Sequence, residues 1–178
     1  QPLSESIRIS ENLDINARTI SLRDLLIGEG STGIPSDLRE SDVTEVLGEP
    51  TSVDDLTSGA TVYRFGCYEL AFHEGIAMYL MNDSLAFSNC QHFQNRRITI
   101  DPWVFARNEP QTRLEITKHL SDVKANYRTA IWCEREVYQM TNGVLLDFGP
   151  DIDELQTVCT GIWMHFPEFP PNTVFINR

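Results

Sequence analysis

Positive charge is scarce in this chain. Fourteen Lys and Arg stand against 26 Asp and Glu, a formal net charge of −12 over 178 residues. A surface with that balance is repelled by nucleic acid and by anionic membrane, so neither is an expected partner. Two readings remain: a soluble surface kept apart by self-repulsion, and a surface steered toward a basic protein.

Long apolar runs are missing too. No stretch approaches the roughly 18 residues that a membrane span needs. The opening "QPLSESIRISENL" has neither a basic head nor an apolar stretch, so it does not read as a signal peptide. It starts on Gln1 and not Met, which leaves room for a trimmed leader. Cysteine is sparse: Cys67, Cys90, Cys133 and Cys159 form no CxxC, and nothing favours one of their three pairings over another. This usage fits a reducing, cytoplasmic compartment.

The spacings that carry chemistry are equally thin. His73, His92, His119 and His165 are not at metal-ligand spacing from one another, and Cys90 with His92 supplies only two ligands. Cys67 and His73 flank one hairpin, but a Cys–His nucleophile needs hydrogen-bond reach and a third, orienting group. "IGEGSTGIP" contains a literal GxGxxG at Gly28, Gly30 and Gly33. A dinucleotide loop must open directly into a helix, and here Pro35 follows within an otherwise hairpin-rich chain. The acidic turn "GPDIDE" lacks EF-hand length and its terminal Glu. No catalytic residue, cofactor or metal is therefore expected, and the chain does not read as an enzyme.

What is present is a core. The chain is 41% hydrophobic and 10% aromatic, enough for one domain or two small modules sharing an interior. Residues 1–18 read as a polar lead-in with room for one edge strand. "TISLRDLLIGEG" is an apolar burst ending in glycines. A short helix follows, with Ser36 or Ser41 as its cap, Leu38, Val43, Val46 and Leu47 as its apolar face, and Gly48 then Pro50 as its stop. "TSVDDLTSG" reads as a loop. "TVYRF", "YELAF" and "IAMYLM" then form a three-strand antiparallel meander, with Tyr68, Leu70 and Phe72 on one face.

The same order recurs. "ITIDPWVF" echoes "ISLRDLLI", "ITKHL" echoes "VTEVL", and "EVYQMTNGVLLDF" echoes "TVYRFGCYELAF" with one residue inserted. Ile116, Leu120 and Val123 mark a second helix face. "LQTVCTGIWMHF" is a further strand region, and the Pro-rich tail "PEFPPNTVFINR" has no central strand before Thr173. The expected fold is α+β: two tandem diverged modules, 19–95 and 96–178, each a short helix on a three- to four-stranded antiparallel sheet, sharing one core. Trp103, Trp132 and Trp163 belong to the second half and mark either its core or an exposed contact. The candidate partner-binding residues are the acidic loop groups Asp54, Asp55, Asp151, Asp153 and Glu154.

"SDVTEVLGEPTSVDD" followed by "ATVYRFGCYELAFHEGIAMYL" has a helix ending in Leu-Gly-x-Pro, a loop, an aromatic–Gly strand pair and a Phe-x-x-Gly turn. This stretch resembles BamE-like (SmpA/OmlA) modules, and it resembles two-module cytoplasmic bacterial proteins that include immunity proteins and antitoxins. The match covers roughly 38–80. BamE carries a lipidated N-terminal Cys; this chain has no Cys before Cys67 and no lipobox. The resemblance implies a non-enzymatic protein that binds a toxin with a basic surface, or else a BamE-like assembly module. A small enzyme or ligand binder built on a groove between the modules is the third expectation.

Overall fold

The computed structural model describes residues 18–28, 34–86, 94–107, 109–149, 157–168 and 170–176. In chain order, strand β1 (Arg18–Ser21) leads straight into helix α1 (Leu22–Ile27), and helix α2 (Val43–Leu47) follows. Strands β2 (Ser52–Asp55), β3 (Ala60–Phe65), β4 (Tyr68–His73), β5 (Ile76–Asn82) and β6 (Ile98–Asp101) come next. Helix α3 (Arg113–Asp122) precedes β7 (Tyr127–Trp132), β8 (Arg135–Met140), β9 (Leu145–Phe148), β10 (Cys159–His165) and β11 (Thr173–Phe175).

Local chemistry sets the helix ends. The Ser21 hydroxyl accepts from the Asp24 amide at 3.2 Å and caps α1, and Gly28, at φ 76°, closes it in the left-handed conformation. Gly28 therefore ends a helix, the reverse of what a dinucleotide loop requires; Gly30 and Gly33 lie outside the described residues. The expected Ser36 or Ser41 cap is not used. A 3-10 turn, Glu40–Asp42, feeds α2, and the Ser41 hydroxyl donates instead to the Asp42 carboxylate at 2.9 Å. α3 starts on a full capping box between Thr112 and Glu115, each side chain bonded to the other's backbone amide.

The strands form a nine-stranded sheet in the order β11-β7-β8-β9-β10-β5-β4-β3-β2. Every pair in it is antiparallel. The run β7 to β10 therefore meets the reversed run β5 to β2 along one seam, where Asn82 faces Ile162 and Tyr79 faces His165. A separate two-stranded parallel ladder joins β1 to β6, with Ile20 opposite Ile100. The fold is α+β, with one large antiparallel sheet and few, short helices. The "TSVDDLTSG" segment is not all loop: β2 lies within it, because pairing with β3 satisfies its backbone despite its two aspartates.

All three helices pack on one face of the sheet. Leu22, Leu25 and Leu26 of α1, Val43 and Leu47 of α2, and Ile116 and Leu120 of α3 join one cluster with Phe65, Tyr68, Leu70, Phe72, Leu146 and Phe148. Tyr68, Leu70 and Phe72 alternate onto this face as expected. Each such large side chain contributes about 1.5–3 kcal/mol on burial. Among the described residues, no helix is long and apolar enough to cross a membrane.

Candidate functional site

The alternation that turns one set of side chains toward the helices turns the other set outward. On that outer face Ala130, Val137 and Leu145 form a second cluster with Trp132 and Trp163 packed against it. The buried apolar residues of α1, α2 and α3 all belong to the opposite face, so no described helix packs here. The seam register sets Tyr79 beside His165 and Met81 beside Trp163, which adds β5 to the same surface.

Four rings gather there. Trp132 and Trp163 have centroids 4.7 Å apart, Tyr79 and Trp163 5.4 Å, Trp132 and His165 5.5 Å, and Tyr79 and His165 6.2 Å. The Trp163 and His165 rings lie nearly parallel, 13° apart. All four are half-buried, while Ala130, Val137 and Leu145 beneath are fully shielded. Gly161 permits this arrangement. A Cβ there would sit 3.1 Å from the Trp163 indole nitrogen and 3.2 Å from the Asn82 carbonyl, tighter than most real contacts, so glycine leaves room for the indole to fold back over its own strand.

A carboxylate borders the rings. Asp147 pairs across β9–β10 with Gly161 and is 4% exposed. Its Oδ2 accepts from the Arg135 guanidinium at 2.8 Å, and its Oδ1 has no hydrogen-bond partner. Burial raises its carboxyl above the usual range; the Arg135 charge and the Phe148 amide act against that rise. Trp163 Nε1 and His165 Nδ1 are also buried without partners. Burial lowers the His165 imidazole, which favours its neutral form, and raises the Tyr79 phenol, with Glu69 and Asp83 adding to the rise.

This arrangement suits recognition. It offers aromatic faces, one unpartnered, solvent-shielded carboxylate oxygen and an imidazole whose neutral form burial favours. The Cys159 thiol is fully buried in the opposite cluster, and burial pushes it far up. Among the described residues, no three His, Cys, Asp or Glu side chains are grouped to hold a metal. Cys133 and Cys159 are free thiols.

Asp54 and Asp55, singled out from the sequence, lie elsewhere. Asp54 and Asp55 sit on β2, the last strand of the sheet. Asp54 pairs with Arg64, which also holds Glu69 at 2.8 Å, and Asp55 accepts from the Thr61 hydroxyl at 3.1 Å. Asp54 thus has a cation from its own chain. Asp151, Asp153 and Glu154 lie outside the described residues, as do Cys90 and His92. Cys67 and His73 stand on opposite flanks of β4.

Of the three tryptophans, two meet in the outer cluster. Trp103 instead packs edge-on to His119, 5.8 Å away, at a cleft of about 370 Å³ that Glu109, Gln111 and Glu115 also line. Tyr79, His165 and Asp147 carried no site signal in the sequence. The i, i+2 spacing of Trp163 and His165 is the one usable hint, since it puts both on one strand face.

Comparison with known proteins adds no relative: no family model, no curated protein and no solved structure matches this chain.

Proposed function

We propose that this chain is a non-enzymatic binding protein for a basic protein partner, acting as an immunity protein that neutralises a cognate bacterial toxin. The observation that carries the binding reading is the half-buried ring cluster of Tyr79, Trp132, Trp163 and His165 on a sheet face where no helix of the described residues packs. Partly exposed, rigid aromatics are the side chains that anchor protein interfaces. The net charge of −12 supports a basic partner and a fast, salt-sensitive encounter. The toxin assignment rests on the resemblance described above. Free thiols at Cys133 and Cys159 support a reducing, cytoplasmic compartment.

The same proposal takes the architecture as two tandem modules, 19–95 and 96–178, after a lead-in at 1–18. It is supported by the mirrored strand orders meeting along β5 and β10. A BamE-like assembly module is the second reading, favoured by the sheet edges at β2 and β11, which pair with no further strand among the described residues and where a partner strand could add.

Co-expression provides the test. The product of the neighbouring reading frame is expressed in a test cell with and without this chain. Restored growth, and binding that weakens with salt, are the expected results. Binding without protection would reject the immunity reading and leave the assembly module; no interaction at any salt would reject both.

A further inference from the structure

We infer that the ring cluster and the unpartnered oxygen of Asp147 beside it form a receptor that admits one arginine side chain of the partner, an inference that rests on the binding reading above. The argument starts from an imbalance. Asp147 is 4% exposed, Arg135 occupies its Oδ2, and its Oδ1 is shielded from solvent and has no hydrogen-bond partner of ordinary geometry, so an incoming group reaches it only when the neighbouring side chains move aside. A buried acceptor left open costs free energy, and such a group calls for an explanation. A carboxylate has lone pairs for both a resident and an incoming guanidinium. Arg135 is 46% exposed on its side chain, so water screens its repulsion of a second cation.

The rings supply the rest of the receptor. Asp147 lies across the ladder from Gly161, and the Trp163 indole nitrogen lies over Gly161. The open oxygen is therefore adjacent to the aromatic cluster, within a cross-strand spacing of about 5 Å. Indole and phenol faces attract a cation, and a planar, weakly hydrated guanidinium stacks on them better than an ammonium does. His165 Nδ1, also without a partner, is a second acceptor when the neutral ring carries its proton on Nε2. An anionic group would meet Asp147 and a chain of net charge −12.

The chain builds the same device once with its own arginine. On the opposite face the Arg113 guanidinium pairs with Glu136 and lies 4.7 Å from the Phe148 ring centroid and 5.9 Å from that of Tyr138. Carboxylate, rings and guanidinium are all internal there. On the outer face the carboxylate and rings are present, and the third component comes from outside.

The test needs no knowledge of the partner. Nα-acetyl-arginine methylamide is titrated into the full chain, with the indole N–H signals of the three tryptophans followed by NMR. The citrulline analogue, a neutral isostere, is the control. Arginine is expected to move the Trp132 and Trp163 signals saturably and to leave Trp103 in place, with citrulline inert. Asp147→Asn, which keeps the shape, should weaken the response about tenfold or more, the usual scale for a hydrogen bond to a charged group. Equal responses to arginine and citrulline, no saturable response, or a response confined to Trp103 would overturn the inference. Should the Asn variant not fold, the wild-type comparison of the two probes decides alone. A negative arginine titration beside positive protection in cells would sink this inference only. A positive titration without protection would sink the immunity reading only.

Discussion

The Trp132 and Trp163 rings touch at 4.7 Å although β8 and β9 run between their strands. Three inter-strand steps of about 4.8 Å separate β7 from β10, so the two indoles must reach toward each other across the sheet. They form a bridge over Val137 and Leu145, which are 0% exposed on a face where none of the described helices packs. The indoles act as the local cover that a helix provides on the other side.

That bridge makes the first prediction. Trp163→Ala removes contacts to Trp132, Tyr79 and His165 and uncovers Leu145. The loss should be about 2 kcal/mol, below the ~3–5 kcal/mol of a fully buried aromatic because the ring is half-exposed. Urea denaturation measures it. Circular dichroism of the native state should also lose the exciton couplet of the indole pair, in Trp132→Ala as in Trp163→Ala. Retention of the couplet in either variant would contradict the 4.7 Å contact.

The ion pair of Arg113 and Glu136 is 11% and 14% exposed. Removing one member takes an ion-pair partner from a largely buried charge, so Glu136→Gln should cost about 3 kcal/mol. Arg113→Met with Glu136→Gln together should cost much less than the sum of the two single changes, since neither charge is then left alone. A double-mutant cycle by chemical denaturation reads the coupling. Additive losses would mean that the pair does not act as a unit.

Gly48 ends α2 and lies against Asn95 and Arg97, just before β6. Its φ of 81° and ψ of −172° are open essentially to glycine, and a Cβ there would come within 2.6 Å of the Asn95 side chain. Asn95 donates to the Leu47 carbonyl at 2.7 Å and accepts from the Arg97 and Ile98 amides. Gly48→Ala should therefore destabilise by about 2–3 kcal/mol, from backbone strain of roughly 1–3 kcal/mol and displacement of that amide. Amide exchange at Arg97 and Ile98 should rise with it. Unchanged exchange there would confine the effect to the Gly48 backbone.

His165 sets a pH dependence. Burial holds its imidazole below 6.5 in the folded chain. As pH falls below 6.5 the unfolded chain takes up this proton first, so stability is lost until the folded imidazole also titrates. Asp147 works with the opposite sign and lower on the scale: its raised carboxyl gains a proton in the folded state before the unfolded one, above 3.8. Urea midpoints at about pH 7 and about pH 5.5 should differ more in the wild type than in His165→Gln. Equal pH slopes for the two proteins would rule out this role for His165.

The central meander was legible because its signals are local. Tyr68, Leu70 and Phe72 alternate, and Gly66 and Gly75 take the positive φ that the tight turns need. α3 was legible from Ile116 and Leu120, one turn apart and both buried. β2 and α1 were not. β2 carries Asp54 and Asp55, residues of low strand propensity, and is extended because β3 supplies its partners. α1 has six residues, too few for a periodic face, and depends on Ser21 and Gly28 at its ends. The acidic residues stood out in the sequence by charge alone, and charge did not reveal that Arg64 already pairs with Asp54.

Alternation, turn glycines and a shortage of cations were determined by the sequence itself: an α+β chain of antiparallel hairpins with an acidic surface. Each of these depends on residues a few positions apart. The ring cluster depends on which strands are neighbours. Tyr79 and His165 are far apart in the chain and meet only because β5 pairs with β10. The open oxygen of Asp147 is likewise a property of the assembled sheet, since burial and the reach of Arg135 exist only once β8, β9 and β10 are side by side.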